Sequence, residues 1–152
     1  MQPSHGTGAR GGAITLSGAP AHRPVRRTSF VVFAIASLLG VGVVVQLFFV
    51  GMALFVDSLY WWPHHTLGRA FGPAAVILFL LTLAFRQPPR IRWLAFAVVI
   101  TVFVQGALAA IRGVAGALHP VNAILVSAAI AALVRETWIT WKSGSAGSAD
   151  PA

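Results

Sequence analysis

Three histidines stand at the beginning of long apolar segments, and their side chains are the best suited to chemistry in this 152-residue chain. His64 and His65 begin one segment, and His119 begins another. Neutral imidazole is a good ligand for haem iron, copper or zinc, and one histidine from each of two facing helices can clamp a macrocycle inside a bundle. The pattern indicates a two-histidine site that contains His119 and either His64 or His65.

Two glycines follow the first two histidines at helical spacing. His65, Gly68 and Gly72 recur at i, i+3 and i+7, so they share one helix face, where the glycines would leave room for a flat ring. His64 with Gly68 and Phe71 is the alternative register, and the pattern does not choose between them. Gly68 and Gly72 also form a small-xxx-small pattern, which is typical of close packing between membrane helices.

Two arginines lie near the same histidines. Arg69 is one turn beyond His65, and Arg112 follows the third apolar segment. A cation is costly in lipid unless it is paired, and haem propionates would be suitable partners for both. Alternatively, Arg69 pairs with Asp57 or extends to the lipid headgroups.

Two glutamines precede the histidines in a weak internal repeat. Gln46 is followed by His64 and His65, and Gln105 is followed by His119. An amide inside an apolar segment must find a partner, so each glutamine could join two helices by a hydrogen bond. The functional alternative is that each orients a histidine or contacts a bound group. Asn122 and Ser127, in the fourth segment, are weaker candidates for the same roles.

The composition predicts which elements carry these side chains. The chain is 57% hydrophobic and 9% charged, too apolar for a soluble domain, and it has no cysteine for disulfides or thiolate metal sites. At about 1.5 Å of rise per helical residue, each apolar segment is long enough to cross a bilayer. We predict an all-α, up-down-up-down four-helix transmembrane bundle. Its spans lie at about 30–55, 64–85, 93–111 and 119–138.

The segments outside the spans predict tails and orientation. Residues 1–28 read as a disordered basic tail, 29–142 as the membrane domain and 143–152 as a flexible tail. Nine of the eleven Lys and Arg residues fall in the N-terminal tail, in the loop 86–92 and in the C-terminal end of the last helix, where they are Arg135 and Lys142. The positive-inside rule therefore predicts cytoplasmic termini in the inner (cytoplasmic) membrane, with the histidines near the outer face. The +8 charge serves topology, and no nucleic-acid partner is predicted.

The core segments carry a family resemblance. The membrane core resembles an uncharacterised family of small four-helix bacterial membrane proteins, a domain of unknown function. The likeness lies in residues 45–55, in residues 64–72 with their two histidines and two glycines, in residues 104–106 and in residues 118–123. That resemblance implies no activity.

The same segments are similar to one four-helix half of haem A synthase, whose halves each carry a histidine pair on their second and fourth helices. The resemblance implies that His64 or His65 pairs with His119 as haem ligands. This chain has only one half, no cysteine pair in its first loop and no glutamate near the second-helix histidine. Haem hydroxylation is therefore not implied.

These observations predict a bis-histidine haem b protein for electron transfer or haem handling, because two histidine ligands leave the iron no open position. The alternatives are a structural or accessory subunit of a membrane complex and, less favoured, a small oligomeric transporter. Expected partners are the bilayer and another membrane protein or a second copy. Phosphate-loop, zinc-protease and serine-hydrolase motifs are absent from the sequence, so an enzyme is not predicted.

Overall fold

Four α-helices make up the fold. The computed structural model describes residues 22–111 and 113–146, and these ranges contain helices and turns but no strand. The helices are α1 (His22–Phe55), α2 (Trp61–Ala84), α3 (Pro89–Ala110) and α4 (Leu118–Ala146), with a short 3₁₀ turn at Ser58–Tyr60. The predicted all-α fold with four helices is confirmed.

The helices extend beyond the predicted spans. Residues 22–28, which the sequence analysis placed in a disordered tail, form the beginning of α1, which starts at His22. Pro24 falls in the first turn, where no backbone N–H is needed, and each further residue then adds one hydrogen bond. The same propagation carries α4 to Ala146, past the boundary predicted at residue 142. The remaining tail residues, 1–21 and 147–152, lie outside the described ranges.

Local chemistry determines where the helices are interrupted. The Asp57 carboxylate accepts a hydrogen bond from the Leu59 N–H at 2.8 Å, which caps the 3₁₀ turn before α2. After α2, Arg86 adopts a positive φ of 49°, and the Gln87 N–H donates to the Thr82 carbonyl at 2.9 Å. This is a left-handed helix ending of the kind that glycine usually makes. Pro89 then begins α3, where a missing N–H costs nothing.

The buried residues recur every three or four positions along each helix. Steps of four, three and four residues average about 3.7, close to the roughly 3.6 residues of a helical turn, so the buried residues form one stripe on each helix that faces a common core. In α2 they are Phe71, Ala75, Leu78 and Thr82, and in α3 they are Ile91, Ala95, Val98 and Val102. Val32, Ala36 and Leu39 of α1 and Val126, Ile130 and Leu133 of α4 complete the core.

The helices pack in a ring. Helix α1 packs against α2 and α4, and α3 packs against the same two helices. Among the described residues no pair of Cα atoms within 8 Å joins α2 to α4, so these two helices lie diagonally across the bundle. Any side chains that bridge α2 and α4 must therefore cross its interior.

The outer surface of the bundle is apolar. Leu38 is 70% exposed, Ile124 is 69% exposed and Phe48 is 60% exposed. All four helices are long and apolar enough to cross a membrane. The chain is a multi-pass membrane protein whose exposed apolar side chains face lipid.

Candidate functional site

At one end of the bundle the core becomes polar. Counting back from buried Phe71 by three and four residues gives Gly68 and His64, and counting forward from Val102 by three gives Gln105. The side chains of His64 and Gln105 therefore point toward the same interior as the apolar core. We name these residues the Gln–His cluster. Its members are Gln46, His64, Gln105, His119 and Asn122.

His119 is held by the last turns of α3. Its Nδ1 atom lies 3.0 Å from the Gln105 carbonyl oxygen, which can only accept, so Nδ1 carries the proton of the neutral ring. The Nε2 atom is then the acceptor, and it lies 3.1 Å from the amide nitrogen of the Gln105 side chain. One glutamine thus contacts both ring nitrogens and determines the tautomer.

Asn122 completes this half of the cluster. Its amide nitrogen donates to the Gln105 side-chain oxygen at 2.7 Å and to the Thr101 backbone carbonyl at 2.9 Å. Asn122 is 7% exposed, so these bonds lie inside the bundle. The Gln105 amide is consequently oriented with its nitrogen toward His119.

His64 repeats the arrangement on the other pair of helices. Its Nδ1 atom lies 3.4 Å from the Gln46 carbonyl oxygen, the same two atom types that join His119 to Gln105. His64 is half-buried, whereas the neighbouring His65 is exposed. Of the two registers left open by the sequence, the structure therefore places His64, and not His65, in the position equivalent to His119.

The two halves differ in the hydrogen bonds of their glutamine side chains, because among the described residues the Gln105 side-chain oxygen has a donor and the Gln46 side-chain oxygen does not. The Gln46 side-chain oxygen is buried and has no hydrogen-bond partner within residues 22–111 and 113–146. Its amide nitrogen would lie 2.9 Å from a Cβ placed on Gly68. Gly68 thus provides the space that the Gln46 amide fills, and α2 has no counterpart of Asn122 there.

Gly68 and Gly72 do not border one shared space beside His65 of the kind that the sequence analysis expected for a flat ring. A Cβ on Gly72 would meet nothing within 4 Å, whereas Gly68 adjoins Gln46. Arg69 is exposed and makes no ion pair with any described residue. Arg112 lies outside the described ranges.

The two cluster histidines lie at the same end of the bundle on diagonal helices, His64 on α2 and His119 on α4. Among the described residues, no group of three or more His, Asp or Glu side chains could hold a metal ion.

Sequence reasoning underestimated Asn122. The sequence indicated only that this residue carried a weaker version of the glutamines' role, yet its amide connects the Gln105 side chain to the Thr101 carbonyl. The available signal was its position three residues after His119, which places both on one face of α4.

Comparison with known proteins gives a match to a family model but names no activity. Neither the curated proteins nor the solved structures gave a match. The predicted resemblance to an uncharacterised family is confirmed, whereas the resemblance to haem A synthase gains no support. The matched segment contains Gln46, His64 and Gln105 and ends before His119. Residues 46–111 of this chain match the model of a family of unknown function, DUF6220.

Proposed function

We propose that the chain crosses the inner (cytoplasmic) membrane four times in up-down-up-down order, with both termini cytoplasmic and the Gln–His cluster near the outer face. Short connections between helices and the asymmetry of the Lys and Arg residues support this orientation. The packing of Phe33 near the beginning of α1 on Trp138 near the end of α4, at 5.1 Å between ring centroids, agrees with it.

We further propose that the cluster binds haem b between His64 and His119. The observation that carries this proposal is the shared contact of each Nδ1 atom with a glutamine backbone carbonyl. Metal-binding histidines usually donate one ring N–H to a carbonyl or carboxylate, which leaves the other nitrogen for the metal. Here that nitrogen is Nε2 on both histidines, on helices that face each other across the bundle.

The cluster fits haem only if two side chains move. The Gln105 amide now contacts Nε2 of His119, and the Gln46 amide fills the space beside Gly68. Both are long side chains that can change rotamer, whereas the backbone carbonyls that hold Nδ1 stay in place. When bound through two histidines, haem would supply one-electron transfer. The chain's own residues would orient the rings and exclude water.

A second candidate function is a structural or accessory subunit. It is favoured by the hydrogen bonds of His119 and Asn122, which already satisfy the Gln105 side chain and join α3 to α4. In that case the cluster holds the bundle together and binds no cofactor.

The haem content of the purified protein separates the two candidates. The full chain is expressed in cells supplied with haem precursor and purified in mild detergent, and haem is quantified as the pyridine haemochrome. Haem binding predicts about one haem per chain, and His119→Ala should lose it. A folded wild-type protein without haem would instead support the structural role.

A further inference from the structure

Two apolar grooves flank α4, and both reach the end of the bundle opposite the Gln–His cluster. One lies between α1 and α4, has a volume of about 740 Å³ and is lined by Gly40, Val44, Ile130 and Trp138 among others. The other lies between α3 and α4, with a volume of about 490 Å³ and walls that include Trp93. Arg135 lines both, so the two grooves meet at this side chain.

The charges around the second groove are mostly positive. Arg90 and Arg135 both line it, and Glu136 is the one acidic side chain there. Glu136 pairs with Arg135 at 2.9 Å, but the Arg135 side chain is still 72% exposed. Arg90 is exposed and has no ion pair among the residues described. The two arginines and Glu136 together leave one net positive charge at the groove, which favours binding of an anion.

The aromatic residues place these arginines at the depth of lipid phosphates. Trp93 is 71% exposed beside Arg90, and Trp138 is 38% exposed one turn after Arg135. Lys142 lies over the Trp138 ring at 4.6 Å. Exposed tryptophans of membrane helices lie at the headgroup level, where Arg and Lys can reach phosphates.

We propose that these grooves form a binding site for an anionic phospholipid. Its phosphate would contact Arg90 and Arg135, and its acyl chains would lie in the apolar grooves on the two sides of α4. Basic sites between helices next to acyl-chain grooves are suited to anionic headgroups, and guanidinium binds phosphate through two parallel hydrogen bonds. This proposal does not depend on haem binding.

Net charge distinguishes the proposed ligand from a zwitterionic lipid. A phosphatidylcholine headgroup carries a cation that would oppose the arginines, whereas phosphatidylglycerol carries only the phosphate charge. The Glu136 carboxylate limits the attraction by competing for Arg135. Removing that carboxylate should therefore strengthen binding, in contrast to removing either arginine.

Native mass spectrometry of the full chain, titrated with phosphatidylglycerol or phosphatidylcholine in detergent, tests the charge requirement. Phosphatidylglycerol should bind more tightly, and the double variant R90Q/R135Q should weaken it on the order of tenfold. Glu136→Gln should tighten it. Arg69→Gln is the matched control, because Arg69 is also exposed but lies near the cluster end. Equal binding of both lipids, or equal effects of R90Q/R135Q and Arg69→Gln, would overturn the proposal.

A second pair of variants tests the acyl-chain groove. Gly40→Leu would fill the groove between α1 and α4, because a Cβ there meets only Ile130, at 3.6 Å. Gly51→Leu is the control, since a Cβ at Gly51 meets nothing within 4 Å and this residue is not among those lining the groove. Gly40→Leu should reduce phosphatidylglycerol retention while Gly51→Leu does not. Unchanged retention in a folded Gly40→Leu protein would rule out this groove as the acyl-chain site.

Discussion

His64 and His119 make the same contact on different pairs of helices. The Nδ1 atom of His64 lies 3.4 Å from the Gln46 carbonyl oxygen, and that of His119 lies 3.0 Å from the Gln105 carbonyl oxygen. Each histidine begins a helix, and each glutamine lies on the helix before it. The weak repeat in the sequence therefore corresponds to a repeated contact between a histidine ring and a glutamine backbone carbonyl.

Asn122→Ala should destabilise the protein. It leaves the Gln105 side-chain oxygen without its 2.7 Å donor inside the bundle, at a cost of roughly 0.5–2 kcal/mol. Thermal unfolding in detergent should show a midpoint lowered by a few degrees. Ser127→Ala is the control on the same helix, because its hydroxyl bonds only to the Ala123 carbonyl of α4. A midpoint that falls equally in both variants would contradict the role assigned to Asn122.

Gly68→Ala should lower the unfolding midpoint relative to Gly72→Ala. At Gly68 the new methyl group would lie 2.9 Å from the Gln46 amide nitrogen, so that side chain must leave its packed position, which offsets the helix propensity that alanine adds. At Gly72 the methyl group meets nothing within 4 Å, and alanine favours the helix by up to about 1 kcal/mol. The midpoint of Gly72→Ala should be unchanged or raised.

A double variant tests whether Gln46 causes the Gly68 effect. Adding Gln46→Ala to Gly68→Ala removes the side chain that the methyl group would meet. The unfolding midpoint of the double variant should therefore be higher than the sum of the two single effects predicts. Strictly additive losses would show that the two residues do not interact in the folded protein.

Gln105→Leu separates the structural role of the cluster from haem binding. Leucine keeps the backbone carbonyl that holds His119 but removes the amide from its Nε2 atom and the acceptor of Asn122. The cofactor-free protein should unfold at a lower temperature, since Asn122 loses one of its two bonds. Haem content should nevertheless stay near that of wild type. Loss of haem from a folded Gln105→Leu protein would mean that the amide itself is needed for binding.

The sequence predicted the helices well and their ends poorly. Long apolar runs are a strong signal, whereas the end of a helix depends on small effects such as the position of Pro24 at the beginning of α1. The loop geometry was also not predictable, because a positive φ at Arg86 occurs where glycine is the usual residue.

The choice between His64 and His65 illustrates a second limit. Adjacent residues on a helix point about 100° apart, so the choice depends on how α2 is rotated toward α1. The glycine spacing of Gly68 and Gly72 did not reveal that rotation. The core period does, because steps of four and three residues lead from buried Phe71 back through Gly68 to His64.

The most direct test of haem binding between His64 and His119 is the reduced-minus-oxidised absorption spectrum of two neighbouring variants, His64→Ala and His65→Ala, purified beside the wild type. Wild type and His65→Ala should show a Soret band and sharp reduced α and β bands, and His64→Ala should lose them. Spectra without haem bands in all three folded proteins, or bands that survive in His64→Ala and vanish in His65→Ala, would contradict the account.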